Sequence, residues 1–320
     1  MSPDLHTHST ASDGTLTPTQ LLERAAAAGV ETLALTDHDT VAGLAEAKLA
    51  AADLGVRLIP GAELSVTWGG RTIHVLGLNL DTDSAALNAG LARLLAYRDW
   101  RAEEIGRRLD RHGVADAYAG ARALAGGTLV GRTHFARLLV QRGLADSVRS
   151  VFKHFLVKGK PGHVPGEWAT LEEALGWIHA AGGQAAIAHP ARYGLTRTKV
   201  RNLLGAFREL GGGAVEVVSG SHSKNDAFVF ARHAADFGLL ASAGSDYHGP
   251  ENPWMDLGRL PPLPPGCTPI WADWSPALGV GTPRPRTRIS TPDTIGTPDT
   301  TTGRTAEPAC FLSPAQSPAL

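Results

Sequence analysis

The sequence predicts an α/β fold built on a parallel sheet, and three observations predict it. Short apolar runs alternate with amphipathic, alanine-rich stretches at about thirty-residue spacing, the rhythm of βαβ units. Histidines and carboxylates cluster just after several of those runs, on the carboxyl edge where α/β proteins and barrels keep their sites. With 320 residues, 43% of them apolar and 19% charged, the chain has material for one large domain or two ordinary ones.

Residues 5–9 read as a short strand entering a polar loop. Thr17-Pro18-Thr19-Gln20 then has the form of a helix start: Thr17 as N-cap, Pro18 in the first turn, Gln20 closing a capping box. Leu21, Leu22, Ala25 and Ala28 supply its apolar face, and Gly29 a stop. Residues 32–36 form a buried strand, 40–53 a second helix stopped by Gly55, and 56–59 a third strand ending at Pro60-Gly61-Ala62-Glu63. Another strand, 71–80, carries His74. From Asp83 the pattern turns helical and stays so through Phe155, marking 83–160 as a helical insertion. Alternation returns with helix 171–181, strand 184–188, the turn His189-Pro190, helix 199–210, strand 214–218, helix 225–237 and strand 239–243. That last strand runs into Gly244-Ser245-Asp246-Tyr247-His248. Residues 1–82 and 161–274 are thus expected to form one domain around the insertion. Residues 275–320 hold 8 of the 21 prolines, many threonines and few large apolar groups, so they are expected to stay disordered.

Bulk charge narrows the partners. Lys+Arg 30 against Asp+Glu 31 gives no basic bias for a long nucleic-acid tract, although a local patch stays open. Cys267 and Cys310 are too few for a cysteine-rich zinc site or a disulfide framework. The first residues lack the basic and apolar regions of a signal peptide, and no apolar run nears transmembrane length. A cytoplasmic protein without a membrane partner is expected, and no protein partner can be inferred.

The chemistry begins at His6 and His8. Two apart on a strand, their rings leave one face and can reach one metal. The pair alone is a weak signal. Its company strengthens it: Asp246-x-His248 repeats the spacing, and Asp13, His38, Glu63 and His74 stand at strand ends between. Mixed imidazole and carboxylate ligands suit manganese, iron or zinc better than calcium. Cations about 3.5–4 Å apart can share a hydroxide and clamp the attacking and leaving oxygens of a phosphate ester. Asp37, adjacent to His38, points away and reads as structural, whereas Asp39 reads equally as the cap of the following helix. His112, His154, His163, His179 and His233 read as surface or packing residues, and the tryptophans as core.

Taken together, His6-x-His8, Asp13, Thr36-Asp37-His38-Asp39, Gly61-Ala62-Glu63, His74-Val75-Leu76-Gly77 and Gly244-Ser245-Asp246-x-His248 resemble the PHP (polymerase and histidinol phosphatase) superfamily. Gly131-Arg132-Thr133-His134-Phe135-Ala136 and Ala188-His189-Pro190-Ala191-Arg192-Tyr193 resemble its branch of 3′,5′-nucleoside bisphosphate phosphatases and 5′–3′ oligoribonucleases. The likeness spans about 1–274 and departs at Thr133, where that branch usually has proline. It implies a distorted (β/α)7-type barrel and two or three divalent cations, Mn2+ first, with Fe2+ or Zn2+ as options. His6, His8, Glu63 and Asp246 would hold one cation; Asp13, His38 and His248 a second; Glu63, His74 and His134 a third. Arg132 would neutralise phosphate oxygens, or else be a solvated charge at a helix start. His189 would contact a second phosphate or protonate the leaving oxygen, or else be a structural turn residue. Arg192, with Tyr193, Ser221, His222 and Lys224, would line the cleft. The implied substrate is a small phosphorylated nucleotide or a short oligonucleotide. A histidinol-type phosphatase and a non-catalytic metal-binding module are the alternatives.

Overall fold

The computed structural model describes residues 3–125, 129–251 and 255–274. The segment 275–320, expected to be disordered, lies outside the described residues. Seven strands follow one another around a single sheet in chain order: β1 (Asp4–Thr7), β2 (Thr32–Leu35), β3 (Arg57–Trp68), β4 (Arg71–Leu78), β5 (Gln184–Ile187), β6 (Ala214–Ser219) and β7 (Leu240–Gly244). The pairs β1–β2, β2–β3, β5–β6 and β6–β7 are parallel, whereas β4 runs antiparallel to both β3 and β5. The sheet nearly closes on itself. Beyond β7, Asp246 N donates to His6 O at 2.9 Å and His8 N donates to Tyr247 O at 2.9 Å, so the first and last strand ends lie side by side. Closure of this kind leaves few unpaired edges and gathers the strand ends at one rim.

The helix α1 (Pro18–Ala27) carries the capping box expected of it: Gln20 N donates to Thr17 Oγ1 at 3.2 Å and Thr17 N to Gln20 Oε1 at 3.0 Å. The helix α2 (Leu44–Leu54) starts later than expected, because Thr40 Oγ1 accepts from Ala42 N and a turn precedes it. Strand β3 is longer than its sequence predicts. It passes through Pro60-Gly61 and turns back into β4 at Gly69-Gly70, both at positive φ (56° and 72°), a two-residue hairpin that glycine favours.

Between β4 and β5 lie α3 (Ala85–Asp110), α4 (Ala117–Leu124), α5 (Arg132–Gln141), α6 (Val148–Val151) and a π-helical turn, Phe152–Leu156. The amino-terminal part of α3 packs Leu87, Leu91 and Leu94 into the barrel's core. Its carboxyl-terminal part packs Ile105 and Leu109 with Phe135, Leu139 and Val151 in a separate apolar cluster. The 26-residue helix therefore ties the two cores together, and Arg98 and Arg101 sit at the joint. The remaining helices, α7 (Leu171–Ala180), α8 (Arg197–Glu209) and α9 (Lys224–Phe237), cover β3–β7. No helix among the described residues is long and apolar enough to cross a membrane.

Candidate metal centre

At the rim where β1 meets β7, buried imidazoles and carboxylates converge. His6 and His8 bring their Nε2 atoms to 3.1 Å of each other. Glu63, inside β3, is fully buried and faces five imidazoles. Its Oε2 lies 2.8 Å from His38 Nδ1, 3.3 Å from His8 Nε2 and 3.4 Å from His6 Nε2; its Oε1 lies 2.8 Å from His74 Nδ1 and 3.0 Å from His189 Nε2. Asp246 Oδ1 is 3.3 Å from His8 Nε2 and 3.5 Å from His6 Nε2. On the outer side, Asp13 Oδ1 stands 3.3 Å from His248 Nε2 and 3.8 Å from His38 Nε2. Four overlapping sets have metal-ligand spacing: His8–Asp13–His38–His248, His6–His8–Asp246, His6–Glu63–His189 and His38–Glu63–His74.

These groups fit divalent cations better than they fit one another. His38 Nδ1 and Glu63 Oε2 approach closely without hydrogen-bond geometry, and Asp13 Oδ1, buried too, has no hydrogen bond despite the nearby His248 and His38 rings. With His6 Nδ1 donating to Glu216, neutral His6 presents a lone pair at Nε2, 3.1 Å from His8 Nε2 and among the carboxylates, where a cation could accept it. Burial pushes His8 down to about 3, helped by His248 and His38; burial also pushes His74 down to about 4, against the pull of Glu63. Neutral imidazole is the form that binds metal. Burial would raise Glu63 and Asp246, but surrounding positive groups outweigh it, chiefly His74 and His38 for the first and Arg192 and His6 for the second. Both stay well below the usual carboxylate range. Burial opposes protonation of His248 too, yet Asp13 lifts it to about 9, a mark of how strongly this rim attracts positive charge.

Neighbouring groups aim the ligands. Glu216, on the fully buried β6, accepts from His6 Nδ1 at 2.9 Å and from His189 N at 2.5 Å. Holding His6 by Nδ1 turns its Nε2 toward the cluster. His248 Nδ1 donates to Asp246 O at 2.8 Å with the same effect. Asp37 accepts from Ser9 N (2.8 Å), Ser9 Oγ (2.7 Å) and Ser12 Oγ (2.6 Å), fixing the loop that presents Asp13. Gly244 leaves the room: a Cβ there would lie 2.2 Å from His6 Cβ and 2.7 Å from Glu216 Oε1.

Three candidate residues sit differently from what the sequence suggests. His134 does not join the cluster. It lies in the first turn of α5, where its Nδ1 bends back to accept from Gly131 N at 3.0 Å, and it belongs to none of the four sets. His189 faces the metal rim through Nε2, 3.0 Å from Glu63 Oε1, while its Nδ1 is buried without a hydrogen-bond partner. Asp39 caps no helix: its Oδ1 accepts from Ser65 N at 2.6 Å and its Oδ2 pairs with Arg98. Thr133, the departure from the resembled pattern, donates through Oγ1 to Asp13 Oδ2 at 3.0 Å and so steadies a metal-facing carboxylate.

A cleft of about 140 Å³ opens beside the cluster, walled by Arg98, Arg101, Arg132 and Arg192 together with Trp168 and Phe152. Arg192 pairs with Asp246, and Arg132 lies over the Phe152 ring at 5.5 Å. Arg101 is only 8% exposed; its Nη2 donates to Val164 O at 3.2 Å and its Nε has no partner. Burial, then repulsion from Arg132 and Arg98, pushes Arg101 down to about 9. Sequence reading missed Arg98, Arg101 and Glu216. The last had a signal: a lone carboxylate inside Ala-Val-Glu-Val-Val. Of the weaker candidates, His222 accepts from Ala191 N at 3.4 Å and supports the turn bearing Arg192, and Tyr193 Oη donates to Ala188 O at 2.8 Å.

Known proteins resemble this chain in sequence and in fold. The chain is 48% identical over 271 residues to a 3′,5′-nucleoside bisphosphate phosphatase of Chromobacterium violaceum, covering 84% of this chain and 95% of that one. It is 46% identical to a 5′-3′ exoribonuclease of Haemophilus influenzae, covering 84% and 97%. A solved amidohydrolase from Chromobacterium violaceum, with bound sulfate and no metal, superposes with a TM-score of 0.81 at 47% identity over 85% of this chain and 95% of that one. With residues 4–184 matching the PHP domain, the chain belongs to the PHP domain family.

Proposed function

We propose that this hydrolase removes the 3′-phosphate from nucleoside 3′,5′-bisphosphates. The observation that carries the reading is the pairing of two different anion sites in one cleft. One is the rim of imidazoles and carboxylates, which would take an anion through the cations it holds; the other is Arg101 and Arg132, which reach the same space with no carboxylate partner among the described residues. A single phosphate would need only the first. Guanidinium groups suit a second, non-reacting phosphate because their planar fork donates two parallel hydrogen bonds. The sulfate held by the Chromobacterium structure and the naming of the phosphatase relative support the same chemistry.

His6, His8, Asp246 and Glu63, with Asp13, His38 and His248 outward and His74 and His189 on the other side of Glu63, are the groups that would hold two or three divalent cations, Mn2+ first and Fe2+ or Zn2+ as options. Bound there, such cations would polarise phosphoryl oxygens and would lower the pKa of water to about 7, the source of a nucleophile at neutral pH. The chain's own contribution is orientation. Glu216 and Asp37 set the ligands, Asp39 and Ser65 hold Arg98, and Trp168 backs Arg98 and Arg101 at 5.1 and 5.4 Å. Arg192, tied to Asp246 at the cleft's edge, meets the substrate as it enters.

A second reading, trimming of short oligoribonucleotides from the 5′ end, has its own observation. Trp100, 50% exposed, leans on Tyr97 at 5.4 Å, and Tyr97 meets Trp168 edge-on at 4.8 Å. This aromatic ledge leads away from the cleft, and base stacking on such rings contributes about 1–3 kcal/mol per base. Phosphate release by manganese-loaded protein from adenosine 3′,5′-bisphosphate, AMP and histidinol phosphate, beside mononucleotide release from a short 5′-phosphorylated RNA, separates the readings. The bisphosphate should be the preferred substrate, with AMP as product; preference for histidinol phosphate would overturn the proposal.

A further inference from the structure

A second cavity, about 480 Å³, opens between α8, α9 and the turn Pro190–Tyr193. Leu195, Val200, Val229 and Phe230 give it an apolar wall, and Arg197 and Arg232 a cationic one. The aspartates at its rim are already engaged. Asp226 Oδ2 accepts from Ser223 Oγ at 2.6 Å, and Asp236 Oδ2 accepts from Arg201 Nη1 at 2.8 Å. Arg197 and Arg232 make no ion pair among the described residues. Arg197 is also the first residue of α8, so the positive end of that helix lies at the same edge. His233 reaches the cavity from α9; it is 6% exposed and its Nδ1 is buried without a hydrogen-bond partner. Burial, with repulsion from Arg201, Arg197 and Arg232 outweighing Asp236, lowers its pKa and keeps the ring neutral. A neutral imidazole offers one donor and one acceptor.

Such a combination selects its ligand. Two guanidiniums that no carboxylate pairs with favour a tetrahedral oxyanion, Asp226 and Asp236 at the rim being held by Ser223 and Arg201; the apolar wall favours a flat ring, and the imidazole reads a polar ring edge. The volume falls within the roughly 300–1,000 Å³ of small-molecule sites. We propose that this cavity is a second ligand site, separate from the metal cleft, for a phosphate monoester of a heterocyclic group of mononucleotide size. Its occupant touches Pro190 and Ala191, in the turn whose next residue, Arg192, grips Asp246 at the metal rim.

Calorimetric titration of the metal-loaded full chain with AMP tests the site. The double variant Arg197→Ala/Arg232→Ala should bind one equivalent fewer per chain than the wild type, and Val229→Glu, which places a carboxylate in the cavity, should lose the same equivalent. Both replace exposed side chains, and circular dichroism should show them folded. Equal equivalents and affinities in wild type and both variants would overturn the proposal. Inorganic phosphate should bind this site at least tenfold more weakly than AMP; equal binding would overturn the part assigned to the ring.

Discussion

Replacing Arg101 by leucine separates the second anion site from the metal rim. Arg101 is buried, has a single hydrogen bond among the described residues, to Val164 O at 3.2 Å, and is repelled by Arg132 and Arg98. In a folded chain without substrate this is an unfavourable place for a charge. Arg101→Leu loses one hydrogen bond, roughly 1 kcal/mol, and relieves a desolvated, repelled cation, so stability should change by no more than about 1 kcal/mol. Substrate binding loses more. A charge-assisted hydrogen bond to a phosphate contributes about 1.5–3 kcal/mol, which is about 10- to 150-fold in kcat/KM. The loss should fall on adenosine 3′,5′-bisphosphate and spare p-nitrophenyl phosphate, which has no second phosphate. Steady-state phosphate release on both substrates, with a melting curve for each protein, measures all three quantities. Equal losses on the two substrates, or no loss on the bisphosphate, would refute the assignment of Arg101.

Other substitutions probe the rim. Glu216→Gln removes the charge that aims His6 and tethers His189, and Mn2+ affinity should fall about 10- to 100-fold by titration calorimetry while the chain stays folded. Gly244→Ala forces a methyl group to within 2.2 Å of His6 Cβ, so the melting temperature should fall by an amount equivalent to about 1–3 kcal/mol together with metal content. His134→Ala should leave Mn2+ affinity unchanged, since that ring lies outside the cluster; loss of a cation would restore the position the sequence suggested for it.

Much of the rim could be read in the sequence because His6, Glu63 and His74 lie in strands and His8, His38, Asp246 and His248 just after strand ends, where the strand fixes which way they point. His189 obeys the same rule, which is why it reaches Glu63. His134 breaks it: the direction of a residue in a helix's first turn depends on how that helix docks, and α5 turns the ring back on Gly131. Arg98 and Arg101 were hidden for a related reason. They share one face of α3, but which face meets the cleft is decided by packing of Leu87, Leu91 and Leu94 on the barrel and Ile105 and Leu109 on the second core. The alternating pattern correctly indicated α/β architecture. It did not show that β4 runs antiparallel, since the tight Gly69-Gly70 reversal lies beyond Pro60-Gly61, where a break was expected. Asp39 was ambiguous because a carboxylate before a helix resembles a cap, while its positive φ of 54° points it at Ser65 and Arg98.

Elemental analysis of the purified chain, paired with phosphate release before and after chelation, tests the central claim most directly. At least two divalent cations per chain should be found. Removing them should abolish hydrolysis of adenosine 3′,5′-bisphosphate, and adding Mn2+ should restore it. Undiminished hydrolysis by protein with no detectable metal would contradict the account.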